Sequence, residues 1–509
     1  MLDIRISICS IWGGETPGEP LIENSVEEAF YLSIIANIII RLTRRFALPF
    51  SDSTADHAKD AVFFPVRIIL EAESGRVARR HLRLRRRSDR REPISLARLR
   101  RYALCSSVPG CFRFDRMESL AVNGERNLRV LLATSFPVPG EYDGTAMLPI
   151  KILRALKTRG VEPILAHLRA RPPWGPIERT EFEGTPSFTL PPSAWISGLK
   201  RIHDEFPFDI VHAQHHGGAN RAQFACRKYR RPMIYEIHSL LGEEVEREKL
   251  GRGLAFRVNV MLERWACRTA KEVIVLGELV KRVCVEEKGI PAERVHVIYP
   301  GIDLSEYEHS DNRSIAIPGI ESHHKVFMYI GSIVHPNQGV PLLIDAATRV
   351  FDAIPDARCV LTGGPEEAGE GYRQKLGRHG DKLIVLAGRK PDEVVGLSRR
   401  ADVLVHPRLE CRENYSVQSK IAVYLAAGRP IVATDFADYK TILGDSGAGR
   451  LCKAEPGSIA EAIIDVLEHP ELAQKLAANT APVARELFGM DRNIDRYLDV
   501  YRKALAQNA

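Results

Sequence analysis

The chain of 509 residues lacks most of the signals that would classify it at sight. Its nine cysteines form no C-x-x-C pair. That disfavours a disulfide framework and a cysteine zinc site, and a reducing compartment is the better setting. No apolar run approaches the roughly 20 residues that cross a bilayer. The most apolar early run, Ala29 to Ile40, is short and broken by Ser33 and Asn37. Arg41, Arg44 and Arg45 follow it rather than precede it, which is the wrong order for a secretory signal. No G-x-G-x-x-G follows a first strand and no G-x-x-x-x-G-K-[ST] occurs, so dinucleotide and P-loop readings lose their main signal. No D-x-D is present to grip a metal on a diphosphate.

What is present is ordinary soluble composition, 45% apolar and 27% charged, with a net charge of +7. The charge is unevenly spread. Residues 1–125 hold 20 basic and 16 acidic side chains, so +4 of the +7 lies there. Arg76 to Arg101 contains 12 arginines against Asp89 and Glu92. Such a cluster suits an arm for nucleic acid or anionic lipid. The bland reading is a poorly ordered extension, or a start assigned upstream of Met117. The second reading is preferred, and no nucleic-acid partner is expected.

From Leu128 the pattern is alternating strand and helix. Leu128 to Ala133 is a continuous apolar run, as a strand buried on both faces requires. A loop with Gly140 and Gly144 follows, then Leu148, Ile152 and Leu156 at helical spacing. Asp209 to His212, Met233 to His238, Glu272 to Leu276 and Val295 to Tyr299 read as further strands, with a glycine turn expected at Gly217-Gly218. The alternation restarts at Val326. Strands there end in Gly331-Ser332, Gly363-Gly364, Gly388-Arg389 and His406-Pro407. The fold class expected is α/β: two Rossmann-like parallel-sheet domains facing across a cleft. The boundaries are 1–125 for the Arg-rich extension, 126–303 for the first domain, 304–324 for a linker, 325–485 for the second domain and 486–509 for a crossover helix, with Asp491 as its N-cap. Glycines at successive strand ends let backbone N–H groups approach a phosphate. Lys420, near the start of a helix, is placed to hold the negative charge of a diphosphate.

The motifs Tyr329-Ile-Gly-Ser332, Gln338-Gly339-Val340, Leu361-Thr-Gly-Gly-Pro365, Ser419-Lys420 and Tyr424-Leu-Ala-Ala-Gly-Arg-Pro-Ile-Val-Ala-Thr-Asp435 resemble the donor half of retaining GT-B glycosyltransferases of family 4, the glycosyl transferases group 1. The resemblance covers about residues 127–509. It implies a metal-independent hexosyl-type transferase using a UDP- or GDP-linked sugar as co-substrate, with no resident cofactor and no metal. The acceptor it implies is a glycan or lipid-linked sugar, as in cell-surface polysaccharide synthesis. A cytoplasmic protein with peripheral contact at the inner membrane face fits that role. Arg227-Lys-Tyr-Arg-Arg231 would suit such a surface, or form a plain solvated loop.

Position by position, the resemblance makes His238 and Lys420 the catalytic pair. The donor side comprises Gly331, Ser332, Gln338, Gly363, Gly364, Gly388, Arg389, Glu413 and Ser416. The acceptor side comprises Gly140, Gly144, His212, Glu243 and Glu244, although the last two serve equally as helix caps. His212, His215 and His216 read as a polar loop rather than a metal site. There are departures. The family's ribose-binding glutamate would fall at Val423, and two of its phosphate-binding cations at Ser332 and Gln338. Arg408 is a further candidate cation. The alternative these departures support is a non-catalytic GT-B relative that binds a sugar nucleotide or a partner.

Overall fold

The computed structural model describes residues 3–8, 67–72 and 127–507, apart from 139–143, 169–174, 192–193, 241–253, 309–314, 390 and 412–413. The N-terminal unit contributes two short strands, β1 (Asp3–Ile8) and β2 (Arg67–Ala72), paired in parallel with Asp3 opposite Arg67. Ile4, Ile6 and Ile8 alternate with polar residues, which is a strand period. The Arg76 to Arg101 block lies outside the described residues.

The second unit holds both α/β domains. The first sheet is built from β3 (Arg129–Thr134), β4 (Glu162–Leu168), β5 (Glu178–Phe182), β6 (Thr185–Leu190), β7 (Ile210–Gln214), β8 (Met233–Ile237), β9 (Glu272–Val275) and β10 (Val295–Val297). Their spatial order is β10-β9-β8-β7-β3-β4-β6-β5, and only β5 runs antiparallel. Helix α1 (Gly144–Thr158) follows β3, and α2 (His215–Tyr229) follows β7. Leu148, Ile152, Leu153 and Leu156 of α1 are buried. Gly217 and Gly218 do not make a turn; they lie in the first turns of α2. A Cβ on Gly218 would stand 2.5 Å from the Ala133 carbonyl oxygen, so these glycines let the helix start against β3. Helix α3 (Glu278–Glu286) follows β9.

The second sheet is all parallel. It comprises β11 (Lys325–Ile330), β12 (Ala357–Thr362), β13 (Leu383–Leu386), β14 (Val403–His406), β15 (Ile431–Thr434) and β16 (Gly449–Cys452), in the order β13-β12-β11-β14-β15-β16. Its strands carry buried apolar residues on both faces, as flanking helix layers demand. Helix α4 (Val340–Ala353) follows β11, and α5 (Ser419–Ala426) follows β14. The chain then returns. Helix α6 (Met490–Ala506) buries Met490, Ile494, Tyr497, Leu498, Tyr501 and Ala504 in the core of the first domain. Its N-cap is Gly489, and Asp491 sits one residue inside the first turn, which corrects the expected cap. Ile302 and Gly489 form a parallel bridge where the two connections cross side by side.

Candidate active site

Ligands in open parallel sheets bind beyond the carboxyl ends of strands where strand order reverses. In the second sheet that point lies between β11 and β14. Tyr424 stitches it: its hydroxyl accepts from Ile330 N–H at 2.8 Å and lies 3.5 Å from the Val405 carbonyl. Gly331 follows β11 with φ 138°, a conformation that favours glycine. A Cβ there would overlap the Lys420 ammonium. Gly363 (φ 117°) stands against the Gly331 carbonyl in the same way, so the two strand ends meet backbone to backbone.

Lys420 lies in the first turn of α5. Its ammonium donates to Tyr329 Oη and to Gln338 Oε1, both at 2.8 Å, and stands 4.4 Å from the Tyr329 ring centroid. Tyr329 Oη has one hydrogen to donate and lies 2.8 Å from Gln338 Oε1 and 3.0 Å from the Ser332 carbonyl. Among the described residues no carboxylate pairs with Lys420. Burial, then the Arg408 guanidinium, push its pKa well below the ordinary lysine value. Arg408 is itself 3% exposed and donates to Asn414. His406 is fully buried beside them; burial, with Lys420 and Arg408, holds it well below its usual value and hence neutral. The site therefore keeps the positive charge of Arg408, and the charge on Lys420 is disfavoured until an anion arrives. An anion 4 Å from such a charge gains about 4 kcal/mol at an effective dielectric near 20, against about 1 in water.

The expected donor-side residues separate into two groups. Gly331, Ser332, Gln338 and Gly363 are gathered at Lys420. Gly364 packs on Ile333, the residue that follows Ser332. Ser416 is 5% exposed and its hydroxyl is buried without a hydrogen-bond partner. Gly388 meets no close neighbour, so nothing there requires glycine. The Arg389 guanidinium lies 3.9 Å from Glu393, one turn along the next helix, and shows no contact with Lys420. Val423 is partly buried and packs against an apolar cluster of the second domain. Glu413 lies outside the described residues, as do Gly140, Glu243 and Glu244.

In the first sheet the order reverses between β3 and β7. His215 begins α2 there with φ 60°, a rare value for a side-chain-bearing residue, and its Nδ1 lies 3.4 Å from Ser135 Oγ. Gly144 is the first residue of α1. His238 follows β8, is 8% exposed, and has its ring centroid 6.2 Å from that of His215. His212 is corrected: it has no exposed surface and so cannot touch an acceptor. Its ring meets Tyr501 and Glu236 instead. The sequence reading missed Glu236, Tyr497 and Tyr501. The available signal was that Glu236 and His238, like His212 and Gln214, are two apart and share a face. Among the described residues no group of three or more His, Cys, Asp or Glu is arranged to hold a metal ion.

The family model for Glycosyltransferase Family 4 matches residues 142–306, and that for Glycosyl transferases group 1 matches residues 324–469. The two domains belong to these two glycosyltransferase families. The glycosyltransferase is 24% identical over 344 residues to D-inositol 3-phosphate glycosyltransferase of Mycobacterium tuberculosis, covering 64% of this chain and 69% of that one. Sucrose-phosphate synthase from Thermosynechococcus elongatus superposes with a TM-score of 0.59 at 14% identity, over 75% of this chain and 100% of that one. Anabaena HepE in complex with UDP and glucose gives 0.56 at 18%, over 74% and 100%. These likenesses establish the GT-B fold of the glycosyltransferase. No helix among its described residues is long and apolar enough to cross a membrane.

Proposed function

We propose that the chain is a metal-independent transferase that moves a sugar, with retention of anomeric configuration, from a UDP- or GDP-linked donor to a hydroxyl of a glycan or lipid-linked acceptor. The observation that carries this reading is Lys420: a sheltered ammonium, held by neutral oxygens and pressed by a second cation, at the strand ends where Gly331 and Gly363 meet. A diphosphate supplies the missing anion. As the sugar–phosphate bond loosens, negative charge grows on the phosphate, and fixed positive groups stabilise it without reorganising. The acceptor hydroxyl attacks from the first-domain side, near His238, and its proton leaves with the departing diphosphate.

UDP fits best, since solved relatives of this fold hold UDP or UDP-glucose. A cytoplasmic enzyme touching the inner membrane face, active in surface polysaccharide synthesis, is the setting that suits a lipid-linked acceptor. The test is a thermal-shift panel of UDP-, GDP- and ADP-sugars on the full chain. One nucleotide class should raise the melting temperature, and Lys420→Ala should remove the rise. Val423, Ser332 and Gln338 favour a second reading, a sugar-nucleotide binder without turnover. Nucleotide binding with no donor consumption would select it.

A further inference from the structure

A fully buried carboxylate is costly unless its lone pairs are filled. Glu236 on β8 is 0% exposed. Gln214, directly opposite on β7, donates its amide N–H to Oε2 at 3.0 Å, and Tyr497 donates its hydroxyl to Oε1 at 2.9 Å. His212 brings Nε2 to 2.9 Å from Oε2, while its Nδ1 lies 2.7 Å from Tyr501 Oη. The remaining neighbour is His238. Its Nε2 lies 3.7 Å from Oε1 and is itself buried without a hydrogen-bond partner. The groups facing this pair are thus His212 and Gln214 from β7, Tyr497 and Tyr501 from α6, and His215 from α2. Burial raises the Glu236 carboxyl, but His212 and His238 outweigh it and hold the group below its ordinary value.

We propose that Glu236 is the positioning residue for His238: it keeps the ring proton on Nε2 and so leaves Nδ1 as the lone-pair nitrogen for an acceptor hydroxyl. The inference rests on the reading of His238 as the acceptor-side group. An ionised carboxylate only accepts, so an imidazole turning Nε2 toward it carries the hydrogen on that nitrogen. At 3.7 Å the contact is electrostatic rather than a hydrogen bond, and the carboxylate's charge favours the hydrogen on the ring nitrogen nearer to it. Tyr497 fixes Oε1, and Tyr501 fixes His212. A helix from the far end of the chain therefore sets the acceptor-side ring.

The test reads the tautomer directly. The full chain is labelled with ¹⁵N-histidine, and the His238 ring signals are assigned at pH 8 by comparison with His238→Gln. The wild type should show the Nε2–H form. In Glu236→Gln the amide oxygen stays toward Gln214 and His212, where two donors need it. The amide NH₂ then faces His238 Nε2, and the ring should invert to Nδ1–H. An Nδ1–H ring in the wild type, or an unchanged tautomer in Glu236→Gln, overturns the proposal. If Glu236→Gln does not fold, Glu236→Asp takes its place: the shortened carboxylate stands farther from Nε2, the Nε2–H fraction should fall, and an unchanged fraction overturns the proposal. No substrate enters the measurement. A failed nucleotide response would therefore count against the proposed donor and leave the role of Glu236 standing or falling on the tautomer.

Discussion

Lys420 is held by a phenol and an amide, and this decides how it answers an anion. Its pKa is depressed in the free protein. Unfolding therefore binds a proton between that depressed value and the ordinary lysine value, and the free fold gains stability as pH rises through this window. A bound diphosphate reverses the bias and favours the ammonium. Nucleotide binding within the window should then be coupled to proton uptake, seen calorimetrically as a heat that changes with the buffer's ionisation enthalpy. Lys420→Ala should abolish the uptake. Gly331→Ala should act through the same atom, since its Cβ would displace the ammonium. We expect it to weaken nucleotide binding about tenfold or more, with about 1–3 kcal/mol of backbone strain lowering the melting temperature as well.

That Gly331, Gly363 and Lys420 stand together was legible in the sequence, because strand-end glycines and a lysine near a helix start are local signals. The support for His238 was not, because Glu236, Tyr497 and Tyr501 come together only when the last helix crosses to the first sheet. His212 shows the same limit: its place at a strand end suggested exposure, and α6 covers it.

At the scale of elements, the two domains meet where one completes the other's helix. Helix α3 starts after Gly277, which has no side chain to cap it. Asp438 from the second domain takes that place, accepting from Glu278 N–H at 2.8 Å and from Tyr299 Oη at 3.0 Å. Val417 N–H donates to the Leu276 carbonyl beside it, and a Cβ on Gly277 would stand 2.7 Å from the Tyr415 carbonyl. Asp438→Ala should cost about 1–2 kcal/mol of stability in denaturant unfolding, the usual loss for a cap. Asp438→Asn keeps the accepting oxygen and should retain most of it. Strand and helix spacings in both domains follow the apolar pattern of the sequence closely. The antiparallel β5, whose residues are mostly exposed, carried no such pattern and went unread.

At the scale of the whole molecule, α6 is the element that makes the first domain depend on the chain's end. Its buried face includes Ile494, Tyr497, Leu498 and Tyr501. Burial of about 1.5–3 kcal/mol per large apolar side chain puts the helix on the order of 10 kcal/mol. That equals the whole stability of a typical domain, about 5–15 kcal/mol. A chain ending at Gly489 should therefore lose the cooperative unfolding of the first domain, while the second sheet, whose core uses none of these residues, keeps its own transition in calorimetry.

The central claim is that Lys420 and the glycine strand ends hold a nucleotide diphosphate. Isothermal titration of UDP into the full chain, beside Lys420→Ala, tests it most directly. Saturable binding to the wild type is expected, with an affinity at least tenfold weaker in the variant, a loss of about 1.4 kcal/mol or more. Equal affinity in the two proteins would contradict it.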